Sequence, residues 1–175
     1  MKKIALILDS STFINHLNIL QLDYPLFTIN EINQELLTQK AKLFFDIAIM
    51  NEKLILRNPS KKSIDYIKEV SQKTGDVYNL SEIDRKILAL TWQINKENEY
   101  NPIVLTEDYA IQNVLSELDL KYKSIVEIGI RDIIHWEFYC PECNKIILKP
   151  TKNLICSSCG MRLKKKPKQI KKKLK

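Results

Sequence analysis

Up to Ile125 the chain is written in blocks of apolar and polar residues whose period switches between strand and helix. Lys3–Leu8 is an almost unbroken apolar run, the pattern of a strand buried on both faces. It ends at the helix-start cluster Asp9-Ser10-Ser11, after which Phe13, Ile14 and Leu17 recur with helical spacing. Leu26–Ile29 predicts a second strand. From Asn30 a long helix is expected to run to about Met50 on a stripe of Ile32, Leu36, Leu43 and Ile47. Leu54–Leu56 reads as a third strand, and Pro59-Ser60 opens a helix through Ile64, Ile67 and Val70 that stops at Thr74-Gly75. Ser81-Glu82-Ile83-Asp84 opens the next, with Ile87, Leu88 and Ile94 inward. Pro102–Leu105 is a fourth buried strand ending in Thr106-Glu107-Asp108. A helix carrying Ala110, Ile111, Val114 and Leu115 follows, then a strand over Lys121–Ile125. Strands alternating with helices in this way predict an α/β fold, an open and mostly parallel sheet covered on both faces.

The 175 residues accommodate one ordinary domain and a small appendage. With 45% hydrophobic and 28% charged residues, a wholly disordered chain is excluded. Apolar runs such as Ile4–Leu8 are too short to cross a bilayer. Met1-Lys2-Lys3 and the short run after it lack the length and cleavage site of a signal peptide. The expectation is a cytoplasmic protein with no membrane partner. Charge changes the picture further. Residues 1–139 hold 16 Lys and Arg against 20 Asp and Glu, a net of −4; residues 140–175 hold 12 against Glu142 alone, a net of +11. An acidic body with a basic end points to a polyanion-seeking appendage. The expected division is an α/β domain over 1–134, a cysteine module over 135–163 and a disordered basic tail over 164–175.

All four cysteines lie in two C-x-x-C knuckles, Cys140-Pro-Glu-Cys143 and Cys156-Ser-Ser-Cys159, separated by 12 residues. Such knuckles place two sulfurs each on one tetrahedral ion, a closed structural zinc site of one Zn²⁺ per chain. Ile146–Leu148 and Leu154-Ile155 are expected to pair as one hairpin, with residues 149–153 turning between them. Gly160 supplies a positive φ after the second knuckle.

In parallel sheets, sites lie beyond the carboxyl ends of the strands, where the topology reverses. Asp9 and Asp108 follow the first and fourth strands there, and Glu35 and Asp84 sit near helix starts. Each taken singly has a plain structural alternative: Asp84 and Asp108 as helix caps, Glu35 as a solvated helix residue. Converging, they would repel by roughly 4 kcal/mol per close pair at an effective dielectric near 20, which a hard cation such as Mg²⁺ or Mn²⁺ relieves.

This constellation resembles the PIN domain, a family of metal-dependent ribonucleases. The motifs are Ile7-Leu8-Asp9-Ser10-Ser11, then Thr28–Glu35, where Asn30-Glu31 stands in place of the family's usual Pro-Ser. They continue with Leu80–Asp84 leading into Leu88-Ala89-Leu90, and Leu105–Val114. With Thr74-Gly75-Asp76 and the cysteine module, the chain is similar over about residues 3–163 to the Nob (Nin-one-binding) endonucleases. The resemblance implies a three-layer α/β/α domain followed by a β zinc ribbon. It implies an endoribonuclease that matures the 3′ end of small-subunit (16S) rRNA by Mg/Mn-assisted hydrolysis. Asp9, Glu35, Asp84 and Asp108 would be its catalytic and metal-binding acids, with Ser11 and Thr106 as hydroxyl helpers. The implied partners are small-subunit pre-rRNA, the pre-ribosomal particle and its assembly factors. Arg162, Lys164, Lys165, Lys166 and Lys168 would contact RNA phosphates. Trp136, Phe138 and Tyr139 would either stack on unpaired bases or form the core of the ribbon. His16 and His135 lie away from the motifs and read as structural. Three rivals remain: a toxin-type PIN ribonuclease directed at tRNA or mRNA, a non-catalytic RNA-binding assembly factor, and a general zinc-ribbon nucleic-acid binder that would not require the acids.

Overall fold

The computed structural model describes residues 2–15, 17–125, 132–148, 150 and 153–172; His16 and residues 173–175 of the expected tail lie outside them. Five strands, β1 (Lys3–Leu8), β2 (Leu26–Thr28), β3 (Leu54–Leu56), β4 (Tyr100–Leu105) and β5 (Lys121–Lys123), form one sheet in the order β3-β2-β1-β4-β5. Every pairing in it is parallel. The helices are α1 (Ser10–Ile14), α2 (Gln39–Met50), α3 (Lys61–Thr74), α4 (Glu82–Lys96) and α5 (Tyr109–Glu117). Right-handed crossovers put α1 and α2 on one face and α3, α4 and α5 on the other. The core fills both layers, with Ile7, Leu8, Leu26, Ile87, Leu88 and Leu90 fully buried. The chain leaves β1 towards β2 on one side and returns to β4 on the other, so the topology reverses between β1 and β4. Their register is level, Leu8 opposite Leu105, and Asp9 N–H donates to the Leu105 carbonyl at 3.3 Å. Asp9 and Thr106 therefore leave the sheet side by side.

The long helix expected from Asn30 to Met50 is two elements. Asn30–Glu35 is a 3-10 helix, Leu36 is extended, and α2 begins afresh at Gln39. Thr38 caps it, its Oγ1 accepting from Ala41 N–H at 3.2 Å. The break turns Leu36 into the core while Leu37 is 90% exposed. The spacing of Ile32 and Leu36 hid this because both bury whether or not the helix continues. Elsewhere the caps follow the sequence: Ser60 caps α3, Gly75 closes it with φ 79°, and Ser81 and Asp84 form a reciprocal capping box on α4.

A second sheet has the order β7-β6-β8, with β6 (Asp132–Tyr139), β7 (Ile146–Ile147) and β8 (Lys164–Lys172) antiparallel. Two expectations change here. Ile146-Ile147 pairs with Tyr139-Phe138 rather than with Leu154-Ile155, and Ile155 bridges Arg162. Each knuckle thus turns a short antiparallel pairing of its own. Of the expected five-residue turn, Lys149, Thr151 and Lys152 lie outside the described residues.

Residues 164–172, expected to be disordered, form β8 along the whole of β6, which also carries His135 across the expected boundary. The pairing shifts register between His135 and Trp136, where Pro167 stands opposite; proline has no N–H to give a regular ladder. The basic run lacks an apolar period, so nothing in it marks a strand. Its backbone pairs along β6, and its lysines lie over aromatic rings of that strand: Lys165 Nζ is 5.0 Å from the Trp136 centroid and Lys166 Nζ 5.4 Å from Tyr139. Among the described residues no helix is long and apolar enough to cross a membrane.

Because Leu88 is wholly buried and Leu37 almost wholly exposed, their truncations should diverge. Leu88→Ala should cost about 2–5 kcal/mol in denaturant unfolding and Leu37→Ala less than about 0.5 kcal/mol. Similar costs at the two positions would contradict the break after Glu35.

Candidate active site and cysteine centre

Asp9 follows β1 and is 4% exposed. Its Oδ2 accepts from Thr106 Oγ1 at 2.9 Å and Ser11 Oγ at 3.0 Å. Both hydroxyls also hold the other strand end: Thr106 Oγ1 accepts from Asp108 N–H at 3.0 Å, and Ser11 Oγ accepts from Glu107 N–H at 3.3 Å. These are the two hydroxyl residues the sequence singled out, and they act as bridges between the ends of β1 and β4.

Glu35 arrives from the 3-10 helix and Asp84 from the first turn of α4. One carboxylate oxygen each from Asp9, Glu35 and Asp84 lies within 4.8 Å of the others. Asp84 Oδ2 accepts from Ser81 N–H at 2.6 Å, so the capping box that starts α4 also orients the acid. The Ser10 and Ser81 side chains lie close enough to Glu35 to favour its charged form, against the larger opposing effect of burial. Glu31, at the position where the sequence departs from the family pattern, pairs with Lys86 at 2.9 Å. Lys86 pairs with Glu82 at the same distance. That bridge ties the segment bearing Glu35 to the helix bearing Asp84, and nothing in the spacing of the sequence announces it.

Asp108 is placed differently. It caps α5, its Oδ1 accepting from Ala110 N–H at 2.6 Å and Ile111 N–H at 3.3 Å. It lies outside the three-carboxylate cluster but close enough for its charge to act on Asp84. Burial pushes the carboxyls of Asp9, Glu35 and Asp84 above their ordinary range. Repulsion adds to it: Asp84 on Asp9, both of those on Glu35, and Asp108 on Asp84. A cluster that resists its own ionisation, and offers only oxygen donors, suits a small hard divalent cation.

The four cysteines are free thiols whose sulfurs also lie within 4.8 Å of one another, Cys140 and Cys159 at 3.4 Å. The two knuckles share one geometry. Asn144 N–H donates to the Cys140 carbonyl and Gly160 N–H to the Cys156 carbonyl, both at 2.9 Å. Both closing residues are left-handed, Asn144 at φ 53° and Gly160 at φ 75°; the expected glycine role holds, and Asn serves at the other knuckle. The amides of Ser158 and Cys159 pull Cys156 down to about 6, whereas contact with Cys159 pushes Cys143 up to about 12. Binding a metal at such a cluster requires the thiols to give up their protons. Among the described residues, Phe138 and Leu163 pack with Cys140 and Cys156 as the buried apolar cluster of this module.

Of the basic residues proposed for RNA, Arg162, Lys164 and Lys168 are exposed. Lys165 is turned inward to Asp76, and Lys166 pairs with Glu137 at 3.2 Å. Of the aromatic residues, Phe138 is core, while Trp136 and Tyr139 are half-buried under lysines.

The raised carboxyls carry a sign. Over the pH range between their ordinary values and their raised folded ones, the native metal-free protein binds more protons than the unfolded chain, so their contribution to stability falls as pH rises. Asp9→Asn removes one such group. In metal-free urea unfolding the variant should be more stable than the parent near neutral pH, with the gap closing as pH falls to the ordinary Asp value of about 3.9. A gap independent of pH would mean that Asp9 is not held above its ordinary range.

Comparison with known proteins agrees with this geometry. The model for the PIN domain of ribonuclease matches residues 6–94, from β1 to α4. The chain is 30% identical over 162 residues to Endoribonuclease Nob1 of Pyrococcus abyssi, covering 93% of each. It is 33% identical over 161 residues to Endoribonuclease Nob1 of Methanocaldococcus jannaschii, covering 91% of this chain and 76% of that one. It is also 32% identical to Ribonuclease VapC1 of Thermoplasma acidophilum over 161 residues, covering 90% of this chain and 76% of that one. The chain belongs to the PIN-domain ribonucleases and is an endoribonuclease of the type represented by the archaeal Nob1 proteins.

Proposed function

We propose that this protein matures the 3′ end of small-subunit rRNA from its precursor by divalent-metal-assisted hydrolysis, with Asp9, Glu35, Asp84 and Asp108 as the acids of the site. The observation that carries the reading is the convergence of three carboxylates at the β1–β4 switch point. Mg²⁺ or Mn²⁺ bound there would activate a water and neutralise charge on the phosphate and the leaving 3′ oxygen. The protein's own part is to hold the donors still. Thr106 and Ser11 fix the Asp9 carboxylate, the capping box fixes Asp84, and Asp108 stands at the start of α5 with one oxygen given to the helix. The cysteine module would hold one structural Zn²⁺ on Cys140, Cys143, Cys156 and Cys159. Exposed Arg162, Lys164 and Lys168 would meet phosphates of the pre-ribosomal particle in the cytoplasm. The Nob1 endoribonucleases of Pyrococcus abyssi and Methanocaldococcus jannaschii align with 93% and 91% of this chain, which supports pre-rRNA as the substrate. The similar span of the VapC1 relative keeps tRNA or mRNA as the alternative that the cleavage test must separate.

The zinc assignment predicts one equivalent per chain. Cys140→Ser should lose the metal and expose the amides of β6–β8 to exchange, because the module has almost no core of its own. Full zinc and a folded module in that variant would sink the assignment.

The activity is tested on a short RNA spanning the mature 3′ end, with Mn²⁺, with Mg²⁺ and with chelator, beside an unrelated tRNA. Cutting at one position in the rRNA fragment is expected only with metal, and Asp9→Asn/Asp108→Asn should lower the rate by roughly a hundredfold or more. Equal cutting of tRNA would point to a ribonuclease of other specificity. Binding without cutting would point to an assembly factor.

A further inference from the structure

Between the acid cleft and the basic strand lies one charged group that the chemistry above does not use. Asp76 follows the end of α3 and is 2% exposed. Its Oδ2 accepts from Asn113 Nδ2 of α5 at 2.6 Å, and its Oδ1 lies 3.7 Å from Lys165 Nζ of β8. Its carbonyl accepts from Asn79 N–H at 2.8 Å and Leu80 N–H at 3.1 Å, shaping the turn that delivers Ser81 to the cap of α4. One residue thus touches the loop before α4, the first turns of α5 and the basic strand. Asp84 lies in the first turn of α4, and Asp108 caps α5.

Its neighbours make the same junction. A Cβ on Gly75 would come within 2.5 Å of the Trp136 carbonyl oxygen, so only glycine lets β6 approach this closely. Tyr78 Oη donates to the Pro150 carbonyl at 2.7 Å, and the Tyr78 ring meets Phe138 edge-on at 5.5 Å. Beside it a groove of about 450 Å³ is lined by Asp76, Tyr109, Asn113, Trp136 and Lys165, so β8 runs next to the residue that follows Asp108.

We propose that Asp76 is a positioning residue that seats the basic strand β8 against the nuclease domain beside Asp108, by receiving Lys165 while Asn113 holds its carboxylate. Its role in cleavage rests on the nuclease reading above; its role in seating the strand does not. Burial pushes Asp76 up and Lys165 down from their ordinary values despite their mutual attraction, the sign of a pair taken out of water. Such a pair adds little net stability but penalises arrangements that separate its members. Lys165 therefore gives up its phosphate contact to orient Arg162, Lys164 and Lys168, which keep theirs.

The test uses the full-length, zinc-loaded chain with Asp76→Asn, Lys165→Met, the double variant and Lys168→Met. The last removes an equal charge from the same strand without touching Asp76. Hydrogen exchange of β6 and β8 amides is read beside KM and kcat on the rRNA fragment. Each single variant at the pair should speed exchange and raise KM by about tenfold with kcat unchanged, and the double should be no worse than either. Lys168→Met should leave exchange as in the parent.

Unchanged exchange in Lys165→Met would overturn the proposal, even if Asp76→Asn fails to fold. So would equal effects of Lys165→Met and Lys168→Met on both readouts, or a lower kcat at fixed KM in Asp76→Asn. If the parent chain does not cut the RNA, the nuclease reading fails, and exchange still decides whether Asp76 seats the strand.

Discussion

Three carboxylates within 4.8 Å of one another, one of them almost fully buried, repel by several kcal/mol at an effective dielectric near 20. Much of the upper edge of this sheet is built to hold them against that repulsion. Level registry of β1 and β4 brings the two strand ends together. Thr106 and Ser11 then share their hydroxyls between Asp9 and the opposite backbone. The capping box does double service, starting α4 and aiming Asp84. Glu31 and Glu82 share Lys86, which ties the segment bearing Glu35 to the helix bearing Asp84. Without these restraints the acids would relax towards water, and the site would lose the geometry that a metal and a phosphate require.

The same restraints link stability to function. Burial and mutual repulsion disfavour the charged carboxylates of the metal-free site, and a bound cation would favour them. The metal-free fold gives up stability near neutral pH so that cation binding has charge to neutralise. A neutral residue at Asp9 would relieve the fold of that charge at the expense of the cation site proposed above, the stability–activity opposition expected of preorganised charge.

The parallel sheet was legible because β1 and β4 are apolar runs ending in polar clusters, and because Ser60, Gly75 and Ser81 mark helix ends with side chains that do the capping. The acids were legible for the same reason, since strand ends in this topology are where chemistry sits. Asp108 shows the limit: a residue that caps a helix and one that serves a cleft look alike in sequence, and here its carboxylate caps α5 from the edge of the cluster. The break at Leu36 was hidden because core-facing spacing survives it, though Thr38 is a cap signal. β8 was hidden for a deeper reason. It pairs with a distant strand and lays its lysines over the aromatic rings there, and a basic run with no apolar period carries no trace of that. Asp76 was visible within Thr74-Gly75-Asp76, but its meaning depends on Lys165, 89 residues later.

The charge division of the chain then acquires a structural logic. A body of net −4 and an end of net +11 would attract each other without direction if the end were a loose tail, and its lysines could fold back onto the acids they are meant to serve. Pairing residues 164–172 with β6 removes that freedom. The pair of Lys165 with Asp76 adds a single permitted attachment, one that a buried carboxylate enforces because any other placement leaves it unpaired. Gly75 reinforces the choice by sterics, admitting the Trp136 backbone where a side chain would exclude it. The exposed charge of the basic strand acts at long range; the short-range, desolvated contacts at Asp76 decide where that strand stands relative to the acids.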